Sequence, residues 1–209
     1  MNSKVTHINV GNLAENCWFL ANEDTKEAVV IDPGAEPDRI CAVAEKHGWK
    51  ITAILLTHGH IDHMGACESL RTELGVKVYA LTEEEDLLLD AKKNLSVFIE
   101  RKVVTFEPDE LLRDGQELTL AGMKIQVIHT PGHTPGGCSY YVADAGCVFS
   151  GDTLFAESVG RSDFPGGSTS ALVRAVKEKL FLLPDDTLVC PGHGEETTIG
   201  HEKKYNSFV

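Results

Sequence analysis

The sequence has few of the features that mark membrane proteins or nucleic-acid-binding proteins. No apolar run approaches the length that a membrane-spanning helix needs. Lys and Arg form no cluster, and the formal net charge of -13 is unfavourable for contact with phosphates. The sequence therefore predicts neither a membrane nor a nucleic acid as a partner.

The six cysteines form no C-x-x-C pair, and the amino terminus lacks an apolar signal segment. They are Cys17, Cys41, Cys67, Cys138, Cys147 and Cys190. Most of them lie inside apolar stretches, where a thiol behaves as a small hydrophobic group. We therefore expect reduced, buried thiols in a cytoplasmic protein.

The chain of 209 residues shows no internal repeat, linker or low-complexity segment. This length is sufficient to bury a substantial core without disulfides. The sequence accordingly predicts a single domain over residues 1–209. It leaves the oligomeric state open.

Short segments rich in β-branched and aromatic residues alternate with amphipathic segments along the chain. Strands are predicted at residues 5–10, 17–20, 28–31, 51–56, 76–80, 117–120, 123–128, 138–142, 147–150 and 187–190. Helices are predicted at residues 37–47, 66–74, 83–89 and 171–183, the third from a capping box of Thr82 and Glu85. Residues 91–108 have a weak pattern and receive no assignment.

The predicted elements fall into two halves, each with an antiparallel start and a terminal α/β portion. This order favours an α/β fold in which two mixed sheets form a sandwich covered by helices. Asp and Glu gather at residues 83–86 and 107–110, and we interpret both runs as solvated faces rather than binding features.

The segment 57–65, THGHIDHMG, places three histidines and one aspartate within six residues, directly after an apolar run. Imidazole and carboxylate groups together suit zinc, iron or manganese. A cluster this dense has little use in a packed core, because every buried polar group there needs a partner. The alternative is a polar surface turn that is rich in histidine. The position directly after a strand favours the metal site.

Further candidate ligands stand at the ends of other predicted strands. His133, Asp152 and His193 each follow an apolar segment within a few residues. A rigid sheet can hold several such loops around one point. We therefore expect these three residues to join the histidine cluster.

Two more residues have open roles. Asp32 follows the third predicted strand, and it is either a carboxylate that orients a ligating histidine or an ordinary turn residue. His129 precedes His133 by four residues, and we interpret it as a structural residue or as a partner of a ligand. The sequence contains no G-x-S-x-G segment, so it offers no serine nucleophile of that type.

These residues and their order closely resemble the metallo-β-lactamase fold superfamily, and within it the short, one-domain glyoxalase II-like hydrolases. The resemblance extends from the strands before Asp32 to the segment around His193. It implies an αββα fold and a centre of two divalent metal ions, zinc with iron or manganese as alternatives. It further implies seven ligands, in which His58, His60 and His133 hold one ion, Asp62, His63 and His193 hold the other, and Asp152 bridges them.

The resemblance also implies a reaction, the hydrolysis of a small acyl thioester of the hydroxyacylglutathione type. The attacking group would be a hydroxide shared by the two ions, and Asp62 would also orient the attacking water. The chain stops sixteen residues after His193 and lacks the helical carboxy-terminal region that contributes much of the glutathione site in full-length glyoxalase II. Recognition of glutathione is therefore left open.

The loop at residues 160–167 is similar to that of the short glyoxalase II-like proteins and to that of the related persulfide dioxygenases. Arg161 either binds a substrate carboxylate or stabilises the loop through an acidic residue. Phe164 is a candidate wall of the substrate pocket.

The persulfide dioxygenases provide a second functional hypothesis. In them, a single iron would be held by one histidine of the cluster, by His133 and by Asp152. The candidate ligands alone do not distinguish the two enzymes. A β-lactamase ranks below both, because the loop motifs resemble the glyoxalase group. A metal-stabilised protein without catalysis ranks lowest, because structural zinc sites usually close with four ligands.

Overall fold

Two six-stranded β-sheets form the centre of the molecule. The computed structural model describes residues 2–209. The first sheet takes its strands in chain order, antiparallel from β1 to β3 and parallel from β3 to β6. These strands are β1 (Ser3–Val10), β2 (Glu15–Asn22), β3 (Glu27–Ile31), β4 (Lys50–Leu55), β5 (Lys77–Leu81) and β6 (Glu110–Leu112).

The second sheet is also mixed, and a small hairpin lies beside it. The remaining strands are β7 (Glu117–Leu120), β8 (Met123–His129), β9 (Cys138–Val142), β10 (Cys147–Gly151), β11 (Leu154–Phe155), β12 (Ser158–Val159), β13 (Leu188–Pro191) and β14 (Thr197–Thr198). The order across the second sheet is β14-β13-β10-β9-β8-β7, and only the β10 and β13 pair is parallel. Strands β11 and β12 form the hairpin.

Seven α-helices surround or connect the sheets within the described residues. They are α1 (Pro37–His47), α2 (Ile61–Met64), α3 (Cys67–Leu74), α4 (Glu85–Leu88), α5 (Ser96–Ile99), α6 (Thr169–Glu178) and α7 (Ile199–Tyr205). Over residues 2–209, none of these helices has the length and apolar character that crossing a membrane requires.

The hydrophobic residues form three clusters that separate four layers. One cluster joins the first sheet to α1 and α3, for example Phe19 against Ile40 and Leu70. The second fills the space between the sheets, and the third joins the second sheet to α6 and α7. Strand β2 is buried on both faces because its alternate side chains enter different clusters. The predicted αββα sandwich of two mixed sheets is confirmed.

The direction of the strands decides where the candidate ligands lie. Strands β3 and β4 run parallel, as do β10 and β13, so each pair ends at one edge of its sheet. Asp32 follows β3, and the cluster at 58–63 follows β4. In the second sheet, Asp152 follows β10 and His193 follows β13. Four segments that are distant in the chain therefore meet at the same edge of the sandwich.

Two helix predictions are wrong in part. The helix predicted at 171–183 is shorter than expected, because α6 ends at Glu178 and the backbone of Lys179 leaves the helical region. The Lys179 ammonium contacts Asp114 and the His129 carbonyl. A short 3-10 turn follows. The predicted capping box is absent from the described turn at 82–85, because the Thr82 hydroxyl donates to the Leu112 carbonyl instead. In both places a contact with a distant strand overrides the local helical pattern.

Two other expectations can be compared with the structure. The unassigned residues 91–108 contain α5 and a loop in which Asn94 and Ser96 hydrogen-bond to the Val104 carbonyl. All six cysteine thiols of the described chain are free, and Cys41 alone among them is only partly buried. The prediction of reduced and mostly buried thiols is therefore confirmed for the fold.

Candidate metal centre

The loop after β4 turns its histidines into the protein. His58, His60 and His63 are 2%, 3% and 0% exposed. The backbone amide of Ile61 donates to the Asn94 carbonyl at 2.9 Å, which anchors the start of α2. Because α2 begins directly after His60, the side chains of this segment leave the chain in several directions and surround one region.

His58, His60 and His133, termed here the three-histidine group, bring their ring nitrogens together. His58 Nε2 lies 3.1 Å from His60 Nδ1, and His60 Nδ1 lies 2.9 Å from His133 Nε2. Nitrogen ligands about 2.0–2.1 Å from a tetrahedral zinc ion are separated by roughly 3.3 Å. The spacing of these nitrogens is therefore close to that of three ligands to one ion.

Asp62, His63 and His193, termed here the mixed group, form a second set of adjacent donors. The Asp62 carboxylate lies 3.3 Å from His193 Nε2 and 3.8 Å from His63 Nε2. Asp62 and His193 are partly exposed, whereas His63 is fully buried. The mixed group thus extends from the interior of the protein to its surface.

Asp152 lies between the two groups. Its Oδ1 atom is 3.4 Å from His63 Nε2, and its Oδ2 atom is 3.5 Å from His133 Nε2 and 3.8 Å from His193 Nε2. One carboxylate therefore faces histidines of both groups. All seven residues that the sequence singled out as candidate ligands are brought together at one edge of the sandwich.

Hydrogen bonds behind the rings select the nitrogen that each histidine turns toward the centre. His63 Nδ1 donates to Asp32 Oδ2 at 3.0 Å, and His133 Nδ1 donates to the Arg161 carbonyl at 2.6 Å. The Thr57 hydroxyl donates to Asp32 Oδ2 at 2.6 Å, so it can only accept from His58 Nδ1 at 3.1 Å. In all three rings, Nε2 is left with a free lone pair that faces the centre.

Asp32 is therefore an orienting carboxylate, the first of the two roles that the sequence left open. It is 1% exposed, and its Oδ1 atom also accepts from the Thr57 backbone amide at 2.7 Å. Although Asp32, His58 and His63 also lie close enough to form a metal-binding group, the oxygens of Asp32 are already occupied by three donors. Its backbone has a φ of 53°, a left-handed conformation that aspartate tolerates better than most residues.

We expect Asp32→Asn to weaken metal binding at the mixed group on the order of 10–100-fold. The amide keeps the shape of the side chain and its left-handed backbone, but it replaces one acceptor by a donor, so His63 loses the partner that selects its tautomer. The measurement is zinc affinity by competition with a chromogenic chelator. Asp38→Asn on exposed helix α1 removes the same charge and should change nothing. Equal affinities in the two variants would contradict the orienting role.

The pKa values of the histidines shift in opposite directions in the two parts of the centre. Burial, reinforced by the neighbouring His133, lowers the pKa of His60 to about 3. Burial also lowers the pKa of His58. Burial acts in the same direction on His63, but the carboxylates of Asp152 and Asp62 outweigh it and raise the pKa of His63 well above its ordinary value. The carboxylates thus attract positive charge, while the three-histidine group offers neutral nitrogens.

The unpaired polar atoms and the donor types of the centre fit divalent metal ions. His63 Nε2 and Asp152 Oδ1 are buried within the described protein and have no hydrogen-bond partner. Such orphaned atoms are costly unless something else satisfies them. A donor set of imidazole nitrogens and carboxylate oxygens suits zinc, iron and manganese. The superfamily and the histidine-rich groups together imply divalent metals.

Two aromatic side chains flank the opening of the centre. The ring of Phe164 lies 5.3 Å from that of His60, and the ring of Phe155 lies 6.3 Å from that of His193. Arg161 makes two hydrogen bonds to Asp163, at 2.9 and 2.8 Å, and its guanidinium lies 4.3 Å from the Phe164 ring. In this structure Arg161 therefore stabilises its loop, and Phe164 occupies the position of a wall.

Several residues around the centre have contacts that the sequence patterns did not indicate. Glu84, interpreted above as part of a solvated face, is 1% exposed, and this interpretation is wrong. Glu15 is also fully buried, 3.9 Å from His63 Nδ1, and burial raises the pKa of its carboxyl. His129 lies outside the cluster and contacts the Pro135 carbonyl at 2.9 Å, in keeping with a structural role. Acidic residues buried by tertiary contacts carry no local sequence signal.

Comparison with protein families gives a match over most of the chain. The model of the metallo-beta-lactamase superfamily matches residues 10–193. The probable metallo-hydrolase YqgX of Bacillus subtilis is 39% identical over 96% of this chain and 94% of its own length. The hydroxyacylglutathione hydrolase GloC of Haemophilus influenzae is 36% identical over 93% of this chain and 92% of its own length.

Solved structures resemble the whole fold. BLEG-1, described as a B3 metallo-beta-lactamase, has a TM-score of 0.93 and 38% identity, covering 98% of this chain and 99% of BLEG-1. TTHA1623 in a di-iron-bound form has a TM-score of 0.86 and 37% identity, with coverages of 98% and 100%. ETHE1 from Myxococcus xanthus has a TM-score of 0.78 and 30% identity, with coverages of 99% and 84%. All three neighbours share the fold of this chain over nearly its whole length.

Proposed function

The chain belongs to the metallo-beta-lactamase superfamily, and on that premise we propose that it is a metal-dependent hydrolase of small acyl thioesters. One observation carries the proposal: the Asp152 carboxylate faces both groups of candidate ligands. A carboxylate placed in this way suits a bridge between two ions. The similarity to a hydroxyacylglutathione hydrolase supports a thioester as the substrate class.

The proposed cofactor is a pair of divalent ions, zinc with iron or manganese as alternatives. The three-histidine group would hold one ion and the mixed group the other, with Asp152 shared by both. When bound, such ions polarise a carbonyl oxygen and lower the pKa of water, so that no serine or cysteine nucleophile is needed. The di-iron form of TTHA1623 supports iron as an alternative to zinc.

The protein's own residues would orient the reacting groups. Asp62 is the ligand with a carboxylate at the partly exposed end of the centre, where it can accept a hydrogen bond from an attacking water. Asp32 and the Arg161 carbonyl hold His63 and His133 in their tautomers, which keeps both Nε2 atoms available. Asp62 is therefore the residue to which we assign a catalytic role beside ligation.

The opening of the centre is compatible with a small, partly apolar acyl group. Phe155 and Phe164 provide apolar surface on two sides of the histidines. We place the substrate between them, with its thioester carbonyl directed toward the centre. We propose that the protein has no nucleic acid as a partner, in keeping with its acidic composition, and no membrane, in keeping with the lack of a long apolar run. The proposed cytoplasmic location is supported by the free and mostly buried cysteines.

A persulfide dioxygenase of the same fold is the second candidate. The similarity to ETHE1 fits it. Such an enzyme would hold one iron with His133, Asp152 and one histidine of the loop after β4, a facial arrangement of two histidines and one carboxylate. His193 would then have no direct part in the reaction, and this difference makes the two candidates separable.

The test is a metal count combined with a substrate panel. Protein prepared without added metal is analysed for zinc, iron and manganese, and it is then assayed with a hydroxyacylglutathione thioester, with glutathione persulfide and with a β-lactam. The proposal expects two ions per chain and turnover of the thioester. One iron with oxygen uptake on persulfide would replace it by the dioxygenase, and turnover of the β-lactam alone would make the chain a lactamase.

Removal of the metal by a chelator is expected to abolish the activity and to leave most of the fold intact. The three hydrophobic clusters that hold the layers together consist mostly of residues outside the ligand loops, with Ile61 and Met64 as members from the segment 57–65. Far-UV circular dichroism and thermal unfolding of chelated protein measure this directly, and activity that returns with added metal is the control. Global unfolding on chelation would instead indicate a structural metal site.

A further inference from the structure

Glu84 is a buried acid in an exposed acidic run. It lies in the short 3-10 turn at 82–84 after β5 and is 1% exposed, whereas its neighbour Glu83 is exposed. Burial raises the pKa of its carboxyl to about 7. A buried carboxyl of this kind is costly, so its contacts must offset the loss of water.

Both carboxylate oxygens of Glu84 accept backbone hydrogen bonds from loops that carry candidate ligands. Oε1 accepts from the Gly59 amide at 2.9 Å, and Oε2 accepts from the Gly136 amide at 2.8 Å. Gly59 lies between His58 and His60, and Gly136 lies three residues after His133. One side chain therefore joins both loops that supply the three-histidine group.

The close approach depends on glycine in both loops. A Cβ atom at Gly136 would lie 2.1 Å from the backbone nitrogen of Glu84, and one at Gly59 would lie 2.7 Å from the Leu88 side chain. Any larger residue at either position would push its amide away from the carboxylate. The turn at 82–84, helix α4 and both loops are thus packed against one another at this point.

Glu84 reaches the amide between His58 and His60, and further hydrogen bonds join the bases of the two loops, from the Cys138 amide to the Thr57 carbonyl at 2.8 Å and from the Tyr140 hydroxyl to the Leu56 carbonyl at 2.7 Å. The two loops follow strands of different sheets, β4 in the first and β8 in the second. The histidines turn lone pairs toward one another at about 3 Å, an arrangement that repels unless an ion or a proton lies between them. A ligand set must be held near its final geometry if it is to bind a metal tightly.

We propose that Glu84 is a positioning residue that holds the loops of His58, His60 and His133 together and so sets the metal affinity of the three-histidine group. The inference rests on the metal centre of the proposed function. It adds Glu84, which contacts the ligand loops through backbone amides and not through the side chains of the candidate ligands. Only a carboxylate serves both donors, because it presents an acceptor at each oxygen. Glutamine would turn an NH₂ group toward one of the two amides.

The experiment measures zinc affinity at each group separately, by competition with a chromogenic chelator. The background variant His193→Ala leaves the three-histidine group to be measured, and His60→Ala leaves the mixed group. We expect Glu84→Gln to weaken zinc binding on the order of 10–100-fold in the first background and by less than about threefold in the second. Glu83→Gln removes the same charge from the adjacent exposed residue and should leave both affinities unchanged.

A second variant and a second readout guard against a general loss of structure. Glu84→Asp keeps the charge but is one methylene shorter, so it should reach one loop and give a smaller loss than Glu84→Gln. Circular dichroism confirms folding, and the absorption spectrum of Co²⁺-loaded protein reports a change in coordination. Lower thermal stability with unchanged zinc affinity would overturn the inference. Wild-type protein that binds no zinc at all would overturn the metal centre as well, so the two failures are distinguishable.

Discussion

Asp152→Ala protein is expected to retain almost no metal at either group. The Asp152 carboxylate lies within 3.4–3.8 Å of Nε2 atoms that belong to both groups. Its removal takes one donor from each proposed ion, and it leaves His63 beside a single carboxylate at its Nε2 side. Loss of a terminal histidine, as in His58→Ala, should affect mainly the three-histidine group. The bridging position thus predicts a larger effect for one aspartate than for any one histidine.

The measurement is metal content per chain after dialysis against metal-free buffer, for wild type, Asp152→Ala and His58→Ala. Asp144→Ala, an exposed aspartate in the turn between β9 and β10, controls for the loss of a negative charge. We expect wild-type content in Asp144→Ala, an intermediate value in His58→Ala and the lowest value in Asp152→Ala. If Asp152→Ala and His58→Ala keep equal amounts of metal, Asp152 does not bridge.

His193→Ala protein is expected to lose thioester hydrolysis by on the order of a hundredfold or more. His193 belongs to the mixed group alone, and its Nε2 atom lies 3.3 Å from Asp62. The substitution therefore removes a ligand at the side where we place the catalytic carboxylate, and it leaves the three-histidine group and Asp152 in position. A dioxygenase that holds one iron with His133, Asp152 and one histidine of the loop after β4 would keep much of its oxygen uptake.

Both reactions are measured on both proteins, with metal counts alongside. Thioester turnover is followed with a hydroxyacylglutathione, and oxygen uptake is followed with glutathione persulfide. His201→Ala provides a control, because His201 pairs with Glu157 and is not among the candidate ligands. Oxygen uptake that survives His193→Ala, together with no thioester turnover in either protein, would reject the hydrolase in favour of the dioxygenase.

These two predictions use different properties of the same site. The Asp152→Ala measurement tests whether the two groups share a ligand, and the His193→Ala measurement tests whether the reaction needs both groups. The neighbours TTHA1623, BLEG-1 and ETHE1 have nearly the same fold, so overall similarity does not choose between the two candidate reactions. The choice depends on which ions bind and on the groups at the opening, such as Phe155 and Phe164.

The candidate ligands could be identified from the sequence because their signal is local. The run at 57–65 concentrates four donors in one turn, and His133, Asp152 and His193 each follow an apolar strand. Strand and helix patterns favoured a sandwich of two mixed sheets covered by helices, because each element buries a face with its own period, and the resemblance to a known superfamily implied the αββα order. The resemblance to a known superfamily supplied the grouping of the ligands, which spacing alone leaves undetermined.

The sequence misassigned residues whose environment comes from distant parts of the chain. Helix α6 ends where Lys179 contacts Asp114 and the His129 carbonyl. The Thr82 hydroxyl donates to the Leu112 carbonyl instead of capping the helical turn that begins at Thr82. Glu84 has the same exposed acidic neighbours that a surface residue has, yet it is buried. Local composition cannot indicate burial when the covering residues lie in other loops.

The sequence by itself thus identified the candidate metal ligands and the strands that they follow. The tertiary structure decided which nitrogen of His58, His63 and His133 faces the centre, because Asp32 and the Arg161 carbonyl come from other segments and Asp32 also orients the Thr57 hydroxyl beside His58. It also decided that Glu84 joins the two histidine loops. The contacts of Asp32, the Arg161 carbonyl and Glu84 depend on distances of about 3 Å between groups far apart in the chain, and only the packed sheets set such distances.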